Sequence, residues 1–448
     1  MKSRTLLVSA LLTTATVLSM TPALPTSVHA TAISGATLAA PPVPNAAAIK
    51  AKYNGQNITY VGGGVGSDHN KDLILSAEFT KDTGIGVNIV EGAASSSDHY
   101  SQLVRDFQGK SSAFDVMMVD VIWPGSFAPY LVDLKPYFSA AEIKQQAPGI
   151  IANDTVGGHL VAMPWFGDFG ILYYRTDLLK KYGFSHPPKT WDELTSMATT
   201  ITNGEQKTNK NFYGFVFQGN SYEGLTCDAL EWLASSGTPN FIVNGKADLN
   251  NPAAIKMLTM AKGWVGTISP RGVTSAQEED ARNVFDSGNA AFMRNWPYAY
   301  SLSQASPKVK GLFDVTTLPA EPGSKPVGAV GGWQLAVSKY SKNIPASVEF
   351  VRYMTSPAVE RFSALFGTYV PTIASVANDP AVRAANPYLK PEIANVQRVA
   401  RPAGLFGINY QKASTDIYQG INQILNGASP SSILPGIDSK LNAILAQH

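Results

Sequence analysis

Four short segments set a flat aromatic ring beside groups that bond hydroxyls or free the backbone. They are Val119-Asp120-Val121-Ile122-Trp123, Pro164-Trp165-Phe166-Gly167-Asp168, Arg294-Asn295-Trp296-Pro297-Tyr298 and Gly331-Gly332-Trp333. A sugar asks for both features: its C–H faces stack on rings, and its hydroxyls need acceptors and donors in fixed geometry. Each segment alone also reads as core. Four of them, with Trp repeatedly beside Gly or Pro, exceed what packing requires.

Other chemistry finds little support. Histidines 29, 69, 99, 159, 186 and 448 form no H-x-x-x-H pair, and none lies near Cys227, so no metal is expected. Cys227, the single cysteine, sits in a Leu/Ala/Trp-rich helical segment and reads as a buried thiol rather than a nucleophile. No G-x-S-x-G elbow occurs. The run Gly62 to Gly66 fails the dinucleotide register, because Ser67 and His69 stand where the third glycine belongs. Gly109-Lys110-Ser111 lacks the earlier P-loop glycine, Val104 standing there instead. No cofactor is expected. A glycosidase pair drawn from Asp68, Asp120 and Asp168 stays open, since such carboxylates meet only in the fold.

Composition narrows the class. The chain has 448 residues, 44% apolar and 15% charged, with 35 Lys+Arg against 33 Asp+Glu. That is enough for roughly two or three domains with real cores. A net charge of +2 with no basic run excludes a nucleic-acid partner. Residues 1–30 form a separate unit: Lys2 and Arg4, an apolar run from Leu6 to Met20, Pro22 and Pro25, then Val28-His29-Ala30. This pattern predicts an export signal peptide cut at Ala30 or Ala32. Its removal takes two basic residues and leaves a net charge of zero. No cysteine stands at the cut, so no lipid anchor is expected, and no later run suits a membrane span. The expectation is a periplasmic, exported, non-inserted protein and a monomer.

Residues 31–55, Ala/Pro-rich and aperiodic, predict a flexible lead-in. Order is expected from a strand at Ile58–Val61. A helix follows from Ser67 or Asp68, with Leu73/Ala77 and Leu75/Phe79 four apart and Gly84 as its stop. A strand at Val87–Val90 completes a βαβ unit and implies a parallel sheet. Further strands are read at 115–119, 160–163 and 170–174. Thr190-Trp191-Asp192-Glu193 is a capping box. Beyond Tyr340 nearly everything reads helical. The class is α/β with a helical C-terminal third.

With these motifs in place the chain resembles the extracellular family 1 solute-binding proteins of carbohydrate ABC importers, in their trehalose/maltose-binding branch. The resemblance is carried by 119–125, 162–166, 170–175, 222–228, 292–298 and 331–335, with Arg401-Pro402 beyond them, and spans residue 58 to the end. It implies no enzyme but a two-lobed binding protein of the periplasmic type II fold, closing over a sugar and delivering it to permease subunits. Signal residues 1–30 and lead-in 31–55 would precede an N-terminal lobe of 56–162 and 299–333, and a C-terminal lobe of 163–298 and 334–448. Crossings would fall near Ala162–Pro164, Trp296–Ala299 and Gly332–Leu335. The implied solute is an α-glucoside disaccharide: trehalose, maltose or sucrose. The alternative solute is a longer oligosaccharide, a polyol or a glycosylated metabolite.

Carried over residue by residue, Asp68, Asp120 and Asp168 would accept hydroxyls. Trp296, Tyr298, Trp333 and Tyr222 would stack on rings, with Phe166 beside them. Gly332 would admit the backbone, and Arg401 would donate a forked pair of bonds. Three departures bear on the solute. His99 stands near a position where relatives carry Arg, which would make the grip titratable; Gly167 replaces Thr; and Phe169 replaces a small residue on the pocket floor.

Overall fold

A computed structural model describes residues 30–31 and 37–447. But for Ala30, the signal segment lies outside the described residues. Among these, no helix is long and apolar enough to cross a membrane.

The lead-in is more ordered than its composition suggests. Ala46–Tyr53 forms helix α1, packed on helix α2 (Asp68–Thr83). Val43 and Ile49 are buried. Val43 N–H donates to Asp82 Oδ2 at 2.9 Å, and the Tyr353 hydroxyl donates to the Pro41 carbonyl at 2.8 Å. Two apolar side chains give no period to read, yet they suffice to pin a segment against a preformed surface.

Strand β1 (Asn57–Gly62), α2 and strand β2 (Gly86–Glu91) make the predicted βαβ unit, with β1 and β2 parallel. Gly84, at φ +71°, ends α2 with its N–H on the Thr80 carbonyl. The buried face of α2 differs from the expected stripe. Leu73 is 44% exposed, while Asp68, Lys71, Asp72, Leu75 and Phe79 turn inward. Three charged residues thus head a core face.

Helix α3 (Ser96–Gln108) is capped by Ser95, whose Oγ accepts from Asp98 N–H. It leads to β3 (Val116–Asp120), β4 (Met163–Phe169), β5 (Ile171–Arg175) and β6 (Tyr213–Val216). Next come α4 (Glu223–Ala234), α5 (Glu278–Asp286), β7 (Ala290–Asn295), β8 (Phe313–Thr316) and β9 (Val327–Val337). The last third holds α6 (Ile344–Met354), α7 (Pro357–Gly367), β10 (Gln397–Val399), α8 (Tyr410–Leu425) and α9 (Pro430–Leu445). Thr190 caps the helix Trp191–Glu205 as read, but Glu193 reaches back to Lys189 N–H instead of closing the box.

Among the described residues the labelled strands form two sheets, beside three two-stranded ribbons. One has six strands, β10-β9-β3-β1-β2 with β4 also on β9; the other has four, β6-β7-β5-β8. Each defines a lobe, and both lobes are discontinuous. Their borders differ from the sequence reading. Because β4 lies in the first sheet and β5 in the second, the chain crosses at Gly170, not near Ala162–Pro164. It stays in the second sheet through β8, so the return is the 317–326 connection rather than Trp296–Ala299. Residues 332–335 lie inside β9. Helices α6 and α7 pack on α2, so 344–367 belong to the N-terminal lobe, while α8 returns to α4 in the C-terminal lobe. Alternation of side chains finds strands, but it does not say which sheet receives them.

Candidate ligand-binding cleft

A cavity lies between the lobes. Ten of the eleven residues singled out from sequence line it: Asp68, His99, Asp120, Phe166, Asp168, Trp296, Tyr298, Gly332, Trp333 and Arg401. Tyr222 does not. It caps α4 with its ring turned inward, its hydroxyl pressed where a Cβ on Gly224 would stand. Burial, reinforced by the Glu278 carboxylate, pushes its phenol pKa well up.

The N-terminal wall is built on β9. Its register sets Trp333 opposite Asp120 on β3 and Phe166 on β4. The Trp333 indole stands edge-on to Trp123, with ring centroids 5.5 Å apart and planes at 86°. His99 stacks on Trp123 at 5.5 Å. The imidazole is buried, and its Nε2 lies 3.1 Å from the Met118 carbonyl oxygen, so Nε2 carries the proton. Burial holds its pKa to about 4. The residue expected to be titratable is therefore a neutral wall of the cleft across the physiological range.

Gly332 lets β9 reach β4. Its φ is +122°, and a Cβ there would lie 2.8 Å from the Phe166 carbonyl oxygen and 3.0 Å from Gly167 Cα. Gly332→Ala is expected to cost about 1–3 kcal/mol through backbone strain. An unfolding midpoint in urea unchanged from the parent would show that the two strands separate freely here.

Alternation along β4 also corrects two expectations. Phe166 and Asp168 face the cleft, so Gly167 and Phe169 face away. The Gly167 Cβ direction points at Val370, and Phe169 packs on Tyr388 beneath the Arg398 guanidinium. Neither departure shapes the pocket floor. Asp168 takes one protein hydrogen bond among the described residues, from Phe169 N–H at 3.1 Å, and burial pushes its pKa well up.

The C-terminal wall hangs from β7. Trp296 follows that strand; its Nε1 donates to Glu278 Oε1 at 3.3 Å, and its ring lies 3.9 Å from the buried Arg294 guanidinium. Arg294 is in turn forked onto Glu231 at 2.8 and 2.7 Å, with Asp228 at 3.0 Å. The stacking plane is thus clamped from behind before any ligand arrives. The Tyr298 hydroxyl donates to Glu279 Oε1 at 2.7 Å.

Arg401 behaves differently from the expected sugar fork. Its Nη2 donates to Asp120 Oδ1 at 2.7 Å and its Nη1 to Glu223 Oε1 at 2.9 Å, joining one carboxylate from each lobe. Glu223 also accepts from Tyr410 at 2.7 Å and Ser414 at 2.6 Å. Burial opposes the guanidinium charge, and the two carboxylates outweigh it. Ser97 Oγ, on α3, accepts from Glu223 N–H at 3.1 Å and adds a second contact between lobes. Arg401 Nε, buried and without a protein partner, is left to a ligand.

Sequence reasoning missed Glu223, Glu278 and Tyr369, all of which line the cleft, as do Gly63 and Gly64 of the glycine run. Glu223 stood beside Tyr222 in a quoted motif. The others had no neighbouring aromatic-plus-polar signal. Cys227 lines the cleft too; burial raises its thiol pKa far above ordinary, so it stays protonated. Among the described residues no group of three or more His, Cys, Asp or Glu is placed to hold a metal.

The sequence profile of bacterial extracellular solute-binding proteins matches residues 66–361. The chain belongs to that family. A Deinococcus radiodurans protein named "Probable ABC transporter-binding protein" is 45% identical over 373 residues, covering 82% of this chain and 88% of that one. The maltose-bound MalE3 of T. maritima superposes with a TM-score of 0.80 at 35% identity, covering 87% of this chain and 99% of MalE3. The GacH receptor of Streptomyces glaucescens shares the fold, with a TM-score of 0.76 at 24% identity over 88% of this chain and 99% of its own. The family's members bind solutes for ABC transporters, so this chain is a substrate-binding protein and not an enzyme. The hydrolase alternative falls with that assignment.

Proposed function

We propose that the chain captures an α-linked glucose disaccharide such as maltose, trehalose or sucrose in the inter-lobe cleft and hands it to the permease of its transporter. One observation carries the reading. A single cavity interleaves the rings of Phe166, Trp296, Tyr298 and Trp333 with the carboxyl groups of Asp68, Asp168 and Glu278. Rings hold the sugar faces, carboxylates take the hydroxyls, and both lobes contribute, so the full set is met only when the cleft is shut. The maltose held by MalE3, at 35% identity, supports the solute class. The signal pattern of residues 1–30 and the family support export to the periplasm.

The test is intrinsic tryptophan fluorescence of the mature protein, titrated with maltose, trehalose, sucrose, glucose and maltotriose. A saturable change at micromolar disaccharide, with the sugar recovered intact, is expected. Response to maltotriose or glucose alone would move the solute class, and silence across the panel would overturn the sugar reading.

A further inference from the structure

We propose that Lys71 is a positioning residue of the cleft: an ammonium caged behind its N-terminal wall that keeps Asp68 charged and aimed at the solute. The proposal rests on the cleft being the solute site. It begins from an anomaly in α2, whose buried stripe carries Asp68, Lys71 and Asp72 at positions where apolar residues pack at lower cost.

Lys71 is fully buried and its Nζ makes no hydrogen bond. Three rings surround it, with centroids at 3.4 Å for Trp165, 4.1 Å for Tyr369 and 4.9 Å for Phe166. A desolvated cation among ring faces is strongly held. Two carboxylates stand at ion-pair distance, Asp68 Oδ1 at 3.5 Å and Asp72 Oδ1 at 3.9 Å. Asp68, Phe166 and Tyr369 line the cleft; Lys71, Asp72 and Trp165 do not. The ammonium therefore touches the wall that meets the solute without meeting the solute itself.

One ammonium cannot neutralise two buried carboxylates. Asp72 faces Lys71, Asp68, the Tyr60 hydroxyl and Gly63 N–H, and burial pushes it up to about 8, so it keeps its proton at neutral pH. Asp68 faces Lys71 and Tyr369, with Glu279 farther off. Burial raises its pKa and the Lys71 charge pulls it back. Burial pushes the Lys71 pKa down, and the facing carboxyl groups of Asp68 and Asp72 oppose that push; with Asp72 neutral, Lys71 in its ammonium form and Asp68 make a one-to-one pair. A charged acceptor binds a hydroxyl roughly twice as strongly as a neutral one. Removing the ammonium costs Asp68 that charge.

The test follows the Asp68 carboxyl by carbon-13 NMR, assigned with Asp68→Asn, in the parent, Lys71→Met and Asp72→Asn proteins. Maltose affinity is measured by calorimetry across the same pH range. Lys71→Met should move the Asp68 titration up by about one pH unit or more, and weaken maltose at neutral pH about tenfold. Asp72→Asn, which swaps one neutral group for another where Asp68 titrates, should leave that titration in place, and should abolish a loss of affinity that the parent shows as pH rises through the Asp72 titration. An Asp68 titration unmoved by Lys71→Met overturns the proposal. If that variant does not fold, a high-pH loss of maltose affinity that persists in Asp72→Asn does so instead. A parent that binds no maltose counts against the proposed sugar and leaves the carboxyl titration to decide the role of Lys71.

Discussion

Trp333→Ala is expected to weaken disaccharide binding by about 2–4 kcal/mol, roughly 30- to 900-fold in Kd. Its indole is the half-buried face of an aromatic stack whose inner members, Trp123 and His99, are fully enclosed. Register holds it between Asp120 and Phe166, so it cannot swing aside. Deleting it removes the ring on which the proposed sugar would stack and also opens that wall to water. Trp333→Phe keeps a smaller ring in the same register and should recover most of the loss. Calorimetric titration of both variants, well below their unfolding midpoints, checks the prediction. A folded Trp333→Ala protein with parental Kd would remove β9 from the sugar site.

Much of this site was legible in the sequence because its rings are anomalous where they stand. Trp296 between Asn295 and Pro297, and Trp333 after two glycines, are poorly explained as core, and both line the cleft. The βαβ unit was legible for an equally local reason, a glycine at φ +71° after an amphipathic helix. Three things were not legible. The inward stripe of α2 begins with charges, so of the two pairs read there Leu75/Phe79 is buried, whereas Leu73 is exposed and Asp68, Lys71 and Asp72 turn inward. Residues 167 and 169 were counted as pocket floor from the resemblance, between strands read at 160–163 and 170–174, whereas β4 runs through Met163–Phe169 and alternates. Arg401 was given to the sugar because its partner Glu223 lies far away in sequence, on α4 in the other half of a discontinuous lobe.

That last partnership carries the second large effect. Arg401→Met is expected to cost about 3–5 kcal/mol of stability at neutral pH, since it leaves Asp120 and Glu223 buried without their cation. Met keeps most of the side-chain volume, so the loss reports charge rather than packing. The pH dependence supplies the signature. Burial raises the Glu223 pKa and Arg401 pulls it down; without Arg401 it rises further above its unfolded value. A carboxyl whose folded pKa is raised binds more protons folded than unfolded. Its stabilising effect is then fully present below the unfolded pKa and is lost as pH rises through the folded one. The deficit of Arg401→Met against the parent should therefore shrink toward acid and be largest above neutrality. Glu223→Gln, which keeps the Arg401–Asp120 pair one to one, should cost much less, about 1 kcal/mol. Urea unfolding of the three proteins between acid and neutral pH tests this. Equal stabilities throughout would mean that the sugar-free lobes stand apart in solution and the ion pair forms only on closure. Because Arg401 commits Nη1 and Nη2 to Glu223 and Asp120 and leaves Nε unpartnered, closure and solute capture then draw on the same guanidinium.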